Sequence, residues 1–327
     1  MNRLRIVVPV FNDWASFRRL LEELDAVASS FPSSVFITAV DDGSTEALDP
    51  LVNALPACEH LTGAEIVHLT TNVGHQRAIA IGLCLAAQDA TADAVLIMDA
   101  DGEDPPAALP YLAAATAGLT DFCIVAQRRK RVETFSFKFF YRLYKLLFRA
   151  VTGKTIDFGN FSLLSAAFAD RLIMVPDLWN NLPAAILRSR LPITAVPVHR
   201  GQRYAGKSKM NFSSLVVHGL SAISVYADTI FVRLLLLGTG LTVLSIISVA
   251  VLFGLRIYSP AHATPGWATT IAFGLAIIIL QLFLTALSSI LMLLNNRVQR
   301  LFLPKTDYLP YVAARRRLFG HAFSEMK

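Results

Sequence analysis

"LIMDADGEDPP", Leu96 to Pro106, ends an apolar run with four carboxylates in six residues and then stops on two prolines. Like charges gathered at the end of a buried strand repel one another and raise their own pKa values unless a cation compensates them. Asp99 and Asp101 form an Asp-x-Asp pair whose oxygens can converge on a hard divalent ion, Mg²⁺ or Mn²⁺, leaving positions open for phosphate oxygens. Glu103 is a candidate third ligand, direct or through water. The alternative is a solvated acidic turn entering a helix. Asp104 is read that way, near a helix N-terminus with Pro105 in the first positions.

Outward from this turn, short apolar or β-branched runs alternate with helical patterns: "LRIVVPV", "VFITAV", "EIVHL", "AVLIM" and "DFCIVAQ". That alternation predicts an α/β domain with a mostly parallel sheet covered by helices on both faces. Ligands of such sheets sit at the carboxyl ends of the strands. The carboxylates gather there: Asp13 after the first strand, Asp41 and Asp42 after the second, Asp99 and Asp101 after the fourth. The first strand-to-helix turn, "PVFND", contains no glycine, which excludes the dinucleotide fingerprint, and no P-loop pattern occurs. The turn "DDGST" offers two carboxylates, a glycine and hydroxyls able to cap a helix. The helix "AIAIGLCLAA" is apolar nearly all round and is expected to be buried against the sheet.

The 327 residues are 54% hydrophobic with a formal net charge of +6 and a mean hydropathy of +0.51. The chain is therefore too apolar for an ordinary soluble domain and too charged at its front for a membrane bundle. Two apolar runs, Leu234 to Leu255 and Ala268 to Leu294, each exceed the ~20 residues that cross a bilayer, with "RIYSPAHATPGW" as a short loop between them. Arg200, Arg203, Lys207 and Lys209 precede the first run; Arg297, Arg300, Lys305 and Arg315 to Arg317 follow the second. The positive-inside rule then predicts a hairpin with both flanks cytoplasmic, in the cell (inner) membrane. "MNRLRIVVPVF" has too short an apolar run for a signal peptide. Cys58, Cys84 and Cys123 are far apart and read as buried thiols. "ETFSFKFFYRLYKLLFRAVTG" mixes aromatics with Lys138, Arg142, Lys145 and Arg149, as either an interfacial helix or an amphipathic helix packed on the domain. Nothing calls for nucleic acid as a partner.

Taken in order, "IVVPVFND", "VDDGST", "NVGHQRAIAIGL", "MDADGEDPP" and "RYAGKSKMN" resemble family-2 glycosyltransferases, above all the membrane-anchored polyprenyl-phosphate glycosyltransferases and dolichyl-phosphate mannose synthases. The resemblance implies a GT-A fold over residues 1–228, including a helix at about 134–151, then a transmembrane hairpin at 229–296 and a basic cytoplasmic tail at 297–327. It implies an inverting transfer from a nucleotide-sugar donor to a polyprenyl phosphate acceptor at the bilayer; a homo-oligomer is one arrangement left open for the chain. Asp41 and Asp42 would hold the base and ribose end of the nucleotide, with Pro9 and Val10 lining that pocket and Gln76 near it. Asp99, Asp101 and Glu103 would hold the metal. Arg128, Arg203 and Lys209 would contact phosphates; the alternative for the last two is a positive membrane flank.

The chain departs from its relatives at "DFGNF", Asp157 to Phe161, a region that shapes the sugar and acceptor pocket in them, so the sugar is not specified. The Q-x-x-R-W motif of processive polysaccharide synthases is not visible. Where transferases acting on hydroxyls keep an acidic base, this chain has "LWNN", with Asn180 and Asn181. A lipid phosphate monoester, with a second pKa of about 6, is already largely dianionic at neutral pH. No side-chain base is therefore expected, and Asp157, Asp170 and Asp177 are read as caps and turns.

Overall fold

The computed structural model describes residues 1–48, 58–89, 91–128, 146, 148–150, 152–155, 157–204, 220–258, 266–298 and 301–321. They fall into two compact units: residues 1–142, 155–225 and 302–327 form one, and residues 143–154 and 226–301 the other.

In the first unit the elements run β1 (Arg3–Val10), α1 (Trp14–Ala28), β2 (Ser34–Asp41), β3 (Gly63–Leu69), α2 (His75–Gln88) and β4 (Ala94–Ile97). A 3₁₀ turn, Pro106–Ala108, leads into α3 (Leu109–Ala114), β5 (Cys123–Arg128), β6 (Ser162–Ser165) and α4 (Ala166–Leu172). Then follow a 3₁₀ turn at Pro176–Trp179, α5 (Leu182–Ser189) and β7 (Thr194–Val198). The five expected strands are β1 to β5; with β8 (Val312–Gly320), the described residues form an eight-stranded sheet of order β7-β5-β6-β4-β1-β2-β3-β8. β1 pairs in parallel with β2 and β4, β2 with β3, and β5 with β7, whereas β6 lies antiparallel between β4 and β5.

β1 is buried along nearly its whole length because helices cover both faces, which is why its sequence reads as a continuous apolar run. Successive residues feed opposite cores. Leu4, Ile6 and Val8 pack with Phe17, Leu20 and Leu24 of α1; Val7 joins Val40, Val67 and the Ile79 to Leu83 stretch of α2. α2 lies so close to the sheet that a Cβ on Gly82 would stand 2.4 Å from Val7 Cγ1 and 2.8 Å from Val40 Cγ2. That confirms the buried helix expected from "AIAIGLCLAA".

The basic tail expected at 297–327 is corrected by the structure. Pro304–Asp307 forms a single helical turn, α8, and Val312–Gly320 forms β8, paired antiparallel with β3. Glu65 of β3 is buried and accepts from Arg315 Nε at 3.1 Å and Nη2 at 2.8 Å, and from Arg5 Nη1 at 3.3 Å. Tyr308 is 2% exposed, and its hydroxyl donates to Gln88 Oε1 at 2.6 Å. Phe302 and Tyr311 stack around Trp179 with centroids 4.1 and 5.2 Å away. The return closes what would otherwise be an open edge at β3. The expectation failed because three consecutive arginines read as a flank, whereas their strand places Arg315 on a buried carboxylate.

The second unit contains α6 (Ala227–Tyr258) and α7 (Trp267–Val298). Within them Ala227–Leu255 and Thr269–Met292 have mean hydropathy 2.4 and are long and apolar enough to cross a membrane. At 32 residues each, the helices extend about 48 Å, well past the expected runs. The helix expected at about 134–151 lies mostly outside the described residues. Near its end, Phe148 is buried and meets the Tyr226 ring edge-on at 5.8 Å.

Candidate active site

The connections that leave β1, β2 and β4 begin at the carboxyl edge of the sheet. After β1 the chain turns at Asn12, whose φ of 48° is left-handed, a conformation asparagine tolerates better than most residues. The Asn12 carboxamide oxygen accepts from the backbone N–H groups of Thr45 and Glu46 at 2.9 and 3.1 Å, fastening the "DDGST" turn. Asp41 accepts the Ser44 N–H at 2.9 Å on one oxygen, and its other oxygen lies 2.8 Å from His68 Nδ1. Asp42 is 3% exposed and accepts from the backbone N–H groups of Val73 at 2.7 Å and Gly74 at 3.1 Å. Burial raises its pKa, against the pull of those two bonds. Asp41 therefore joins its own turn to β3, while Asp42 fastens the loop that starts α2. Pro9 and Val10 are buried at the end of β1.

The Asp-x-Asp turn is folded by its own carboxylates. Asp104, 1% exposed, accepts the Asp99 N–H at 3.1 Å, and Asp101 accepts the Glu103 N–H at 2.9 Å. Asp104 is thus a buried clamp on the turn, where a solvated position was expected. The 3₁₀ turn begins at Pro106, with Pro105 as its cap.

Segment 200–204 lies along this turn. Gly201 N–H donates to Glu103 O at 3.0 Å and Tyr204 N–H to Asp101 O at 2.8 Å. Arg203 Nη1 stands 3.0 Å from Asp101 Oδ2, and Arg200 pairs with Glu103. Desolvation lowers the Arg200 pKa, while the carboxylates of Asp101 and Asp99 oppose it. The Tyr204 hydroxyl donates to Glu23 Oε2 at 2.7 Å, and the Arg19 guanidinium sits 4.8 Å over its ring. Burial and Glu23 together push the Tyr204 phenol up. Gly102, with φ +86°, makes room: a Cβ there would stand 2.8 Å from the Tyr204 ring.

On the opposite side, His75 Nε2 at the start of α2 lies 3.3 Å from Asp99 Oδ1 and 3.0 Å from Asn160 Nδ2. Desolvation pulls the imidazole down, and the carboxylates of Asp99, Asp42 and Asp101 more than offset it, leaving its pKa raised. Gln76 Nε2 donates to Asn160 Oδ1 at 3.0 Å, and its oxygen accepts the Leu182 N–H at 2.8 Å. Gln76 thereby ties the "DFGNF" segment to the start of α5. Asn181 is a buried N-cap that accepts from Ala184 N–H at 3.0 Å, and Asp177 pairs with Arg188 Nε at 2.9 Å.

The structure brings together Asp99, Asp101, Glu103, His75, Arg200 and Arg203, whereas Asp41 stands at the end of β2 against His68. Arg128 ends β5, its Cα in register with Val198 of β7; Lys209 lies outside the described residues. Among the described residues no three His, Cys, Asp or Glu side chains converge as a ready metal cage. Asp99 and Asp101 still offer the all-oxygen donor set suited to Mg²⁺ or Mn²⁺, and the cationic partners around them mark where positive charge is needed. Sequence reasoning did not find His68, Asn12 or the pairing of Arg200. Asn12 carried a signal in "ND" after a strand; His68 carried none, because its partner is distant in the chain.

Residues 5–169, half of the chain, match the family described as Glycosyl transferase family 2. The undecaprenyl-phosphate 4-deoxy-4-formamido-L-arabinose transferase of Enterobacter sp. (strain 638) is 26% identical over 280 residues, covering 81% of this chain and 80% of that protein. The protein of the same description from Sodalis glossinidius is 25% identical over 276 residues, covering 80% of this chain and 79% of its own. Among solved structures, mannosyl-3-phosphoglycerate synthase from Rubrobacter xylanophilus gives a TM-score of 0.48 at 15% identity, covering 69% of this chain and 73% of that one. With its α/β GT-A domain and its carboxylate-edged strand ends, this chain belongs to glycosyl transferase family 2.

Proposed function

We propose that the chain transfers a sugar from a nucleotide-sugar to a polyprenyl phosphate at the cytoplasmic face of the cell membrane. The observation that carries this reading is the Asp-x-Asp turn gripped by a basic segment, in a chain that also holds two helices long enough to span a bilayer. The names of the full-length relatives support the acceptor class.

Asp41, oriented by His68, receives the base end of the nucleotide, and Asp99 and Asp101 hold Mg²⁺ or Mn²⁺. When bound, such an ion stabilises the charge that builds on a departing diphosphate. Arg203 supplies further positive charge there, and by resemblance Arg128 and Lys209 do the same. Asp177 is paired with Arg188, and Asn181, a neutral amide with no basic site, caps α5, so this reading assigns neither as a base. The acceptor phosphate arrives already anionic and attacks without one.

The test is incubation of purified full-length protein with a panel of nucleotide-sugars, undecaprenyl phosphate and Mg²⁺ or Mn²⁺, followed by mass spectrometry of the lipid. A glycosylated lipid phosphate is expected. Sugar transfer only to hydroxyl acceptors would overturn the reading.

A further inference from the structure

Within segment 200–204 the arginines and the tyrosine are held in different ways. Arg200 and Arg203 meet Glu103 and Asp101 on the Asp-x-Asp turn itself, contacts that a cation bound there would contest. Tyr204 reaches across to α1. Its hydroxyl donates to Glu23 Oε2 at 2.7 Å, and Glu23 Oε1 stands 3.4 Å from Arg19 Nε, one helical turn back. The Arg19 guanidinium closes the triangle, 4.8 Å over the Tyr204 ring. A hydrogen bond to a charged acceptor and a cation over an aromatic face each hold a side chain more firmly than packing alone.

Two glycines let the segment lie this close to the turn. A Cβ on Gly201 would stand 2.0 Å from Gly102 O, and one on Gly102 would stand 2.8 Å from the Tyr204 ring. Backbone therefore rests on backbone, with Gly201 N–H on Glu103 O and Tyr204 N–H on Asp101 O. The Tyr204 ring packs against the core that α1 shares with β1. Adjacent Cα atoms are about 3.8 Å apart, so fixing Tyr204 fixes the backbone from which Arg203 reaches.

We propose that Tyr204 is a positioning residue for the transfer: held by Glu23 and Arg19, it keeps the Arg203 guanidinium at the Asp-x-Asp turn. Before a cation binds, that guanidinium sits on Asp101. Once a cation displaces it, Tyr204 remains fastened, because its side-chain partners lie on α1 and not on the metal-binding carboxylates. Arg203 then stays within reach of the diphosphate that departs there. The inference rests on the reading of Asp99 and Asp101 as the metal site and of Arg203 as a phosphate contact. Ring packing alone would give Tyr204 no influence on the cation. Acting through Arg203 gives it one that vanishes when Arg203 is replaced.

The test measures Mn²⁺ affinity of the full-length protein without nucleotide, by electron paramagnetic resonance of the free ion, together with sugar transfer to undecaprenyl phosphate. Tyr204→Phe keeps the ring and loses the bond to Glu23. It should bind Mn²⁺ at least ~3-fold more tightly, and kcat and kcat/KM should fall together, as for a contact made in the transition state. Glu23→Gln still presents an acceptor oxygen and should match wild type in both. In an Arg203→Gln background, Tyr204→Phe should change neither quantity further, the signature of two residues acting as one. Wild-type Mn²⁺ binding by Tyr204→Phe, or effects that add in the double variant, would overturn the positioning role. If Asp101→Asn bound Mn²⁺ as wild type does, the metal reading would fail instead. Amide exchange at Tyr204 then decides the anchor: protection should drop in Tyr204→Phe and persist in Glu23→Gln, and equal protection in both would refute it.

Discussion

Replacing Arg203 with glutamine should tighten binding of a divalent cation while slowing sugar transfer. Arg203 Nη1 sits 3.0 Å from Asp101 Oδ2, with side-chain exposures of 24% and 16%. A cation ligated by Asp101 has to compete with that guanidinium. Exposed ion pairs contribute up to ~1 kcal/mol, and breaking a fully buried one costs about 3–5 kcal/mol. A pair this sheltered but still wetted falls between, at ~1–2 kcal/mol. By the tenfold-per-1.4 kcal/mol rule, that corresponds to ~5–30-fold tighter binding once the competitor is gone. The backbone bonds from Gly201 and Tyr204 do not involve the guanidinium, so the segment stays on the turn and the variant reports on charge alone. The assay is Mn²⁺ titration followed by electron paramagnetic resonance of the free ion, on full-length protein without nucleotide. Turnover is measured in parallel and should fall, because the same guanidinium neutralises the departing diphosphate. Unchanged or weaker Mn²⁺ binding by Arg203→Gln would refute the reasoning, with Asp101→Asn as the control that loses binding.

Asp99→Asn and Asp101→Asn should each lower turnover at least ~100-fold with the circular dichroism spectrum intact; full activity of Asp101→Asn in EDTA would sink the metal assignment. Asp177→Asn should cost less than ~10-fold, below the ~10²–10⁴-fold that a general base supplies, and steady-state kinetics on the lipid phosphate decides it. Glu65→Gln, which leaves Arg5 and Arg315 facing a neutral group, should destabilise by ~3 kcal/mol, and Arg315→Ala, half exposed, by about 1 kcal/mol; urea unfolding followed by tryptophan fluorescence separates them, and equal losses would contradict the buried clamp. Asp121 is held below its usual carboxylate pKa by hydrogen bonds from Arg171 and Ser165. Its contribution to stability is present above the unfolded pKa and lost as pH falls through the lower folded value. Asp121→Asn should therefore show a shallower acid-side loss of stability than wild type in denaturant titrations from pH 6 to pH 3.

The α/β class, the strands β1 to β5, the buried α2 and the two long apolar helices were legible from the amino-acid order alone. Each is a local property: alternation, helical periodicity and length of apolar run are set by neighbours within a few turns. The carboxylates at the strand ends were legible for the same reason, since a strand that stops at a charged turn declares its carboxyl edge. Only the tertiary structure decided what each of those carboxylates holds. Asp41 and Asp42 are adjacent in sequence, yet one meets His68 on the neighbouring strand β3 and the other is spent on the backbone at Val73 and Gly74. Asp101 and Asp104 differ in the same way, one meeting Arg203 and the other holding the Asp99 N–H. Strand β6 was not legible, because its four residues, "SLLS", offer only two apolar positions between serines, whereas β4, equally short, is apolar throughout. β8 reads as a charged flank until the chain returns past α7 to the edge of β3, 250 residues from the glutamate that Arg315 meets. Partners separated by that much chain are chosen by which edges and charges remain unsatisfied once the sheet has formed, and no window of local sequence contains that information.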